Sequence, residues 1–171
     1  MEAMNNLLER RSIRKYSDRQ VPDELLDQVL EAGLYAPTGM NRQNVIMVAV
    51  RDKEIRDQMM RINAAVMGRD GDPFYGAPCV IVVLGDPDIY PVVENGSLVL
   101  GNLMNAAHAV GLGSCWIHRA KQTFETEEGK ALLRSWGLKE NLVGIGNCIL
   151  GYPEEAPEAR PRLEGRIVKI G

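Results

Sequence analysis

Apolar positions fall into two patterns along this chain: short continuous runs of strand length, and stripes that recur every three or four residues. Residues 4 to 11 predict a short first helix. A second is better marked, because Pro22 fits a first helical position, Asp23 and Glu24 suit a helix's positive end, and Leu25, Leu26, Val29 and Leu30 make one apolar stripe. It should stop near Gly33, where "YAPTGMNRQ" brings Pro and Gly breakers and polar side chains, the composition of a loop. "VIMVAV" (45 to 50) reads as a buried strand, followed by a helix with Ile55, Met59 and Ile62 on one face. "GRDGDPFYGAP" breaks the chain again. "CVIVVL" (79 to 84) predicts a second buried strand, and "GSLVLGNLMNAAHAVGLG" a helix that is apolar or small on almost every side. Such a helix belongs at the centre of the fold or in a subunit interface.

"SCWI" is a third strand candidate, "TEEGKALLRSWG" a helix with Glu127 and Glu128 in its first turn, and "LVGIGNCILG" a fourth strand. This alternation leaves two fold classes open, an α/β or an α+β sandwich. After Tyr152 the chain turns to "PEEAPEARPRLEGRIVKIG", too polar for a core yet ending in "IVKI", which could add a strand or grip another subunit. There is no internal repeat.

A length of 171 residues suits a single domain, and 45% apolar residues with a net charge of -3 describe an ordinary globular protein. The apolar runs are shorter than the ~20 residues of a membrane helix, and no signal pattern opens the chain. Cys79, Cys115 and Cys148 sit in apolar runs without metal-binding spacing, as expected of reduced thiols in a cytoplasmic protein.

Against this acidic balance, Arg10, Arg11, Arg14, Lys15 and Arg19 are concentrated in one stretch. "RRSIR" offers guanidinium groups and the Ser12 hydroxyl within a few residues, a match to the oxygens of a phosphate monoester, and Arg160 and Arg162 could converge on the same anion. A solvated helix face is the alternative. Nucleic acid is disfavoured, because aromatic residues are only 5% of the chain. In "APTGMNRQ", Thr38, Asn41 and Gln43 could present hydrogen-bonding groups to a polar heterocycle, with Gly39 allowing close approach; plain turn chemistry explains the same residues. "GLGSCW" and "GIGNCILG" do not complete a dinucleotide fingerprint, and their glycines are expected at turns and close contacts. His108 lies in the apolar helix and reads as structural, whereas His118 follows "SCWI" and is a candidate to face a site. No cluster suggests a catalytic metal and no nucleophile has a marked base. The chemistry is therefore expected from a cofactor.

Three segments together, "RRSIRKYSDRQVPDELL", "EAGLYAPTGMNRQNV" and "GLGSCWI" through "IGNCILGYPEEAPEARPR", resemble the nitroreductase family of FMN-dependent oxidoreductases. The resemblance covers nearly the whole chain. It implies one FMN-binding domain over residues 1–171, an α+β fold with a central, mainly antiparallel sheet flanked by helices, and an intertwined homodimer with FMN at the interface. Residues 153–171 would then cross to the partner.

Carried over by position, Arg10, Arg11 and Ser12 match phosphate and ribityl contacts, and Arg14 the basic residue near the pyrimidine edge of the flavin. Pro37, Thr38, Gly39 and Asn41 match a loop that the partner lays against the ring, Ile117, His118 and Arg119 the segment whose backbone faces flavin N5, and Arg160 and Arg162 a pair that closes on the phosphate. The chain departs from the family pattern after Gln43, where Asn44 and Val45 stand in place of Pro-Trp, and at His118 and Arg119, where small or acidic residues are usual. The implied activity is hydride transfer from NAD(P)H through N5 to a nitroaromatic, quinone or similar acceptor, by a ping-pong mechanism, with protons from solvent or His118. The alternatives are an FMN store or redox sensor without turnover, and the dehalogenating or flavin-fragmenting branches of the family.

Overall fold

Every residue from Cys79 to Gly85 is buried in the computed structural model, which describes residues 2–171. This strand, β2, lies inside a four-stranded sheet with β1 (Val45–Val50), β3 (Gly113–Ile117) and β4 (Val143–Gly151) in the order β1-β2-β4-β3. All neighbours are antiparallel, which settles the class as α+β. The helices are α1 (Ala3–Glu9), α2 (Asp23–Leu34), α3 (Lys53–Met67), α4 (Val92–Ala109), α5 (Ala120–Glu125) and α6 (Glu127–Ser135), with a 3-10 turn at Gly39–Asn41.

Successive β2 side chains point to opposite faces, and both faces are covered. Val80, Val82 and Leu84 join a core that includes Met59 and Ile62 of α3, Phe124 of α5 and Leu133 of α6. Cys79, Ile81 and Val83 join a second core with Val29 of α2 and Val99, Leu100 and Leu103 of α4. The run is apolar throughout because the sheet is the middle layer of three.

The helices differ from expectation in particular places. The first spans Ala3–Glu9, so Arg10 and Arg11 follow it in non-helical backbone. Pro22 sits at the N-cap, one residue before the first turn. The central helix begins at Val92, earlier than its apolar stretch suggested, because Asn95 and Gly96 are also buried against the body. Helix α5 gave no sequence signal: it is six residues long, and starts after Arg119, which has a left-handed φ of 77° and makes no side-chain cap. Packing makes it, through buried Ala120, Thr123 and Phe124. Gly144 lets it sit directly on β4, since a Cβ there would lie 2.3 Å from the Ala120 carbonyl oxygen. "IVKI" forms no strand in the single chain; residues 153–171 are exposed throughout.

Burial pushes the Cys79 thiol up to about 12, against a smaller opposing pull from Arg51. The Cys148 thiol is raised further, by burial first and then by Cys79 and Cys115. Only the unfolded chain ionises near the ordinary thiol value of ~8.5, so these two thiols stabilise the fold up to that pH and the contribution is lost as pH rises beyond it. Iodoacetamide at pH 8 is expected to leave Cys79 and Cys148 unmodified in the native protein and to alkylate both in denaturant, read by peptide mass mapping. Rapid native labelling would show that the second core opens.

Candidate cofactor site

The basic segment after α1 is stitched along the open edge of the sheet. Ser12 bridges Ser114 of β3 in parallel, and the Ile13 N–H donates to the Ser114 carbonyl at 3.0 Å. Ile13 is buried against Gly113. Farther on, the Ser17 N–H donates to the Tyr152 carbonyl and the Glu154 N–H to that of Lys15. The Tyr16 hydroxyl donates to the Ile13 carbonyl at 2.6 Å, and burial holds this phenol far above its ordinary range.

Two polar atoms of this edge have no partner among the described residues: Arg10 Nη1 and Ser114 Oγ, both fully buried. The Arg10 guanidinium is close enough to Cys148 of β4 to favour its thiolate slightly. A buried, uncompensated N–H of an arginine is costly unless an anion meets it. Arg11 has other work: its Nη1 donates to the Leu8 and Arg10 carbonyls at 2.8 Å each, closing the end of α1.

Beside this edge lies a cleft of about 350 Å³. Arg14, Ile117 and His118 line it together, joined by Met67, Asp70 and Tyr75. Arg14 is exposed, 5.9 Å from the centre of the Tyr75 ring, and its N–H donates to the Glu155 carboxylate. His118 meets Trp116 edge-on at 5.5 Å. The opposite wall, residues 69–76, is held by Asp72, whose carboxylate accepts from the Phe74 and Gly76 N–H groups and from buried Arg56. Tyr75 takes a left-handed φ of 53° in this wall. His108, by contrast, donates from Nδ1 to Asn6 Oδ1 at 2.7 Å and ties α4 to α1, a structural role.

The loop containing Pro37, Thr38, Gly39 and Asn41 lies elsewhere. Its Gly39 N–H donates to Asn95 near the start of α4, and the Gln43 N–H to Thr38 Oγ1. Helix α1 is anchored near the other end, where Asn6 donates to the Asn105 carbonyl. Those anchors are ten residues apart, ~15 Å along a helix axis. The described clefts bring this loop together with neither Arg10 nor His118. Arg160 and Arg162 are exposed and form no ion pair among the described residues. Sequence reasoning missed Ser114 and Tyr75. Ser114 looks like any small residue of a strand, and the "GDPFYG" turn gives no hint that Tyr75 faces a cleft. Among the described residues no group of three or more His, Cys, Asp or Glu is placed to hold a metal ion. No helix among them is long and apolar enough to cross a membrane.

A family model described as the Nitroreductase family matches residues 7–152. The chain belongs to the nitroreductase family. An Archaeoglobus fulgidus protein provisionally named an NADH dehydrogenase/NAD(P)H nitroreductase is 34% identical over 160 residues, covering 90% of this chain and 87% of its own. A Bacillus subtilis protein named FMN reductase [NAD(P)H] is 26% identical over 184 residues, covering 98% of this chain and 72% of its own. The solved structure of a Bacteroides fragilis nitroreductase with bound FMN superposes with a TM-score of 0.92 at 27% identity, over 100% of both chains. In this nitroreductase-family chain, the unpartnered Arg10 Nη1 and Ser114 Oγ fit the anionic end of a phosphate-bearing ligand.

Proposed function

We propose that the protein is an FMN-dependent NAD(P)H oxidoreductase acting on electron-poor acceptors such as nitroaromatics and quinones. The observation that carries this is the buried, unpartnered Arg10 Nη1 at the edge that Ser12 and Ser114 share, the donor set a phosphate monoester needs. FMN, when bound, supplies the two-electron chemistry by relaying hydride from the nicotinamide to the acceptor. The chain's own residues bind and orient. Arg10, Ser12 and the Ser114 hydroxyl hold the phosphate, while Arg11 keeps the end of α1 in place for them. Arg14 brings positive charge to the cleft, where it favours the electron-rich reduced ring. Ile117 and His118 line the cleft beside it, and Arg119 follows them in the chain with its backbone toward the flavin. NAD(P)H and acceptor use the cleft lined by Arg14 and His118 in turn, the ping-pong order.

The site is completed by a second copy. The Pro37–Asn41 loop lines neither the cleft that holds Arg14 and His118 nor the one that holds Ser114, and Met40 on that loop is 77% exposed. The tail carries Leu163, Ile167, Val168 and Ile170 at exposures of 77% to 97%, apolar surface that a partner would cover. Arg160 and Arg162, on the same tail, close over the phosphate.

Replacing Arg10 with Ala is expected to weaken FMN binding by about 1.5 to 3 kcal/mol, the range for a charge-assisted bond, or roughly tenfold to 150-fold in Kd. Fluorescence titration of the apoprotein measures it, and an unaltered Kd would sink the phosphate assignment. Anaerobic mixing of the FMN-loaded protein with NADH or NADPH tests turnover. Bleaching of the flavin bands, followed by their return with a quinone, is the enzyme's result; bands that persist with both nucleotides mark a binding protein.

A further inference from the structure

The turn between β3 and α5 rests on a group of buried polar side chains that the proposed phosphate and cleft contacts do not use. Asn63 of α3 is 0% exposed and donates from Nδ2 to the His118 carbonyl at 3.1 Å. Asn147 of β4 is 1% exposed, and pairs across the ladder with Ile117. Thr123 of α5 is 2% exposed, and its N–H donates to the Arg119 carbonyl at 2.9 Å. Of these side chains the Asn63 amide is the one bonded to the turn; the Asn147 amide and the Thr123 hydroxyl are buried beside it without a partner among the described residues. A polar cluster at this depth is expensive to keep, since each apolar replacement would spare desolvation.

What Asn63 fixes is a peptide orientation. In a trans peptide the C=O and the following N–H point in opposite directions. The His118 carbonyl points inward, to Asn63. The Arg119 N–H therefore points away from Asn63, and the two residues before it, Ile117 and His118, line the cleft. That N–H has no acceptor among the described residues. Arg119 is held at a left-handed φ of 77°, a conformation that a residue with a side chain disfavours. The surroundings maintain it: Asn63 grips the carbonyl before the residue and the α5 backbone grips its own.

The geometry points to Asn63 as a positioning residue that aims the Arg119 N–H into the cleft, where it donates to the bound flavin and stabilises negative charge on the reduced ring. This rests on the FMN reading above and deepens it. Asn63 touches neither the flavin nor the substrate; it acts through one peptide. A preorganised donor of this kind costs no rearrangement when the charge appears. Its loss should make the bound flavin harder to reduce.

The test is the midpoint potential of bound FMN in the wild type and in Asn63→Leu, which keeps the side chain's approximate size and removes the donor. Binding to the apoprotein is measured alongside. The expected result is that the variant still takes up FMN, while the ratio of reduced to oxidised flavin at a given potential falls about tenfold, roughly a 30 mV shift to more negative values for two electrons. As a second measurement, on the wild type alone, the ¹⁵N–¹H signal of Arg119 is expected to move on FMN addition; this stands even if the variant does not fold. A variant that holds FMN at an unchanged potential overturns the inference, as does an Arg119 signal that FMN leaves in place. In either case the functional reading survives, because wild-type FMN uptake is scored separately; a wild type that takes up no FMN overturns both.

Discussion

Replacing Arg56 with Ala is expected to cost about 3 kcal/mol of stability, the lower end of the range for breaking a buried ion pair. The guanidinium is 7% exposed as a residue and serves four neighbours. It donates to Asp57 at 2.9 Å, to Asp72, and to the Ala77 carbonyl at 3.3 Å, and it lies 5.7 Å from the centre of the Phe74 ring. Without it the Asp72 carboxylate loses its counter-charge, while still fixed by the Phe74 and Gly76 N–H groups. For a chain of this length that loss corresponds to roughly 6 to 12 °C in Tm. Phe74 is 1% exposed and plugs the core below the cleft wall, so the wall should loosen with the pair. Thermal unfolding and limited proteolysis within residues 68–76 measure the two effects. An unshifted Tm would show that the ion pairs contribute nothing net.

The pair also has a pH signature. The Asp57 carboxyl is held below its ordinary value by its hydrogen bond from Lys53 first and that from Arg56 second. A carboxyl with a depressed folded value contributes above the unfolded pKa of ~4 and loses that contribution as pH falls. The acid limb of the stability curve should therefore begin below pH ~4, and Arg56→Ala should flatten it.

The second large effect is expected from deleting residues 158–171. This removes Arg160 and Arg162 together with Leu163, Ile167, Val168 and Ile170, side chains that are almost fully solvated in the single chain. Full burial of such apolar groups against a partner is worth ~1.5 to 3 kcal/mol each, and two charge-assisted bonds to a phosphate about 1.5 to 3 kcal/mol each. The truncated chain should run as a monomer in light scattering and lose FMN affinity by roughly 100-fold or more. Arg160→Ala with Arg162→Ala separates the two roles: dimer kept, flavin loosened. A truncated chain that remains dimeric and yellow would overturn the assignment of the tail.

Much of this architecture can be read in the amino-acid order. Strand β2 is a continuous apolar run because both faces of the sheet are covered there, and burial on both faces leaves little freedom in composition; β1, expected to be buried from an equally apolar run, lies at the sheet's edge with only Val50 buried and Ile46 37% exposed. Helix α2 shows its stripe, and the break after Leu34 is written in Pro and Gly. The concentration of arginines from Arg10 to Arg19, in a chain of net charge -3, raises the expectation of an anion site.

What tertiary structure alone decided is how the pieces meet. Strand order and antiparallel pairing follow from which faces bury which side chains, and local pattern does not encode them. Helix α5 exists because Gly144 admits it and Phe124 buries, although its sequence lacks a start signal. Arg11, inside the same basic string as Arg10, turns its guanidinium onto the end of α1, whereas Arg10 buries an N–H with nothing to meet it. Composition cannot separate two adjacent arginines; a helix end can. Asn63 and His118 lie 55 residues apart in the chain, and only the packing of α3 beneath the β3 turn makes them partners.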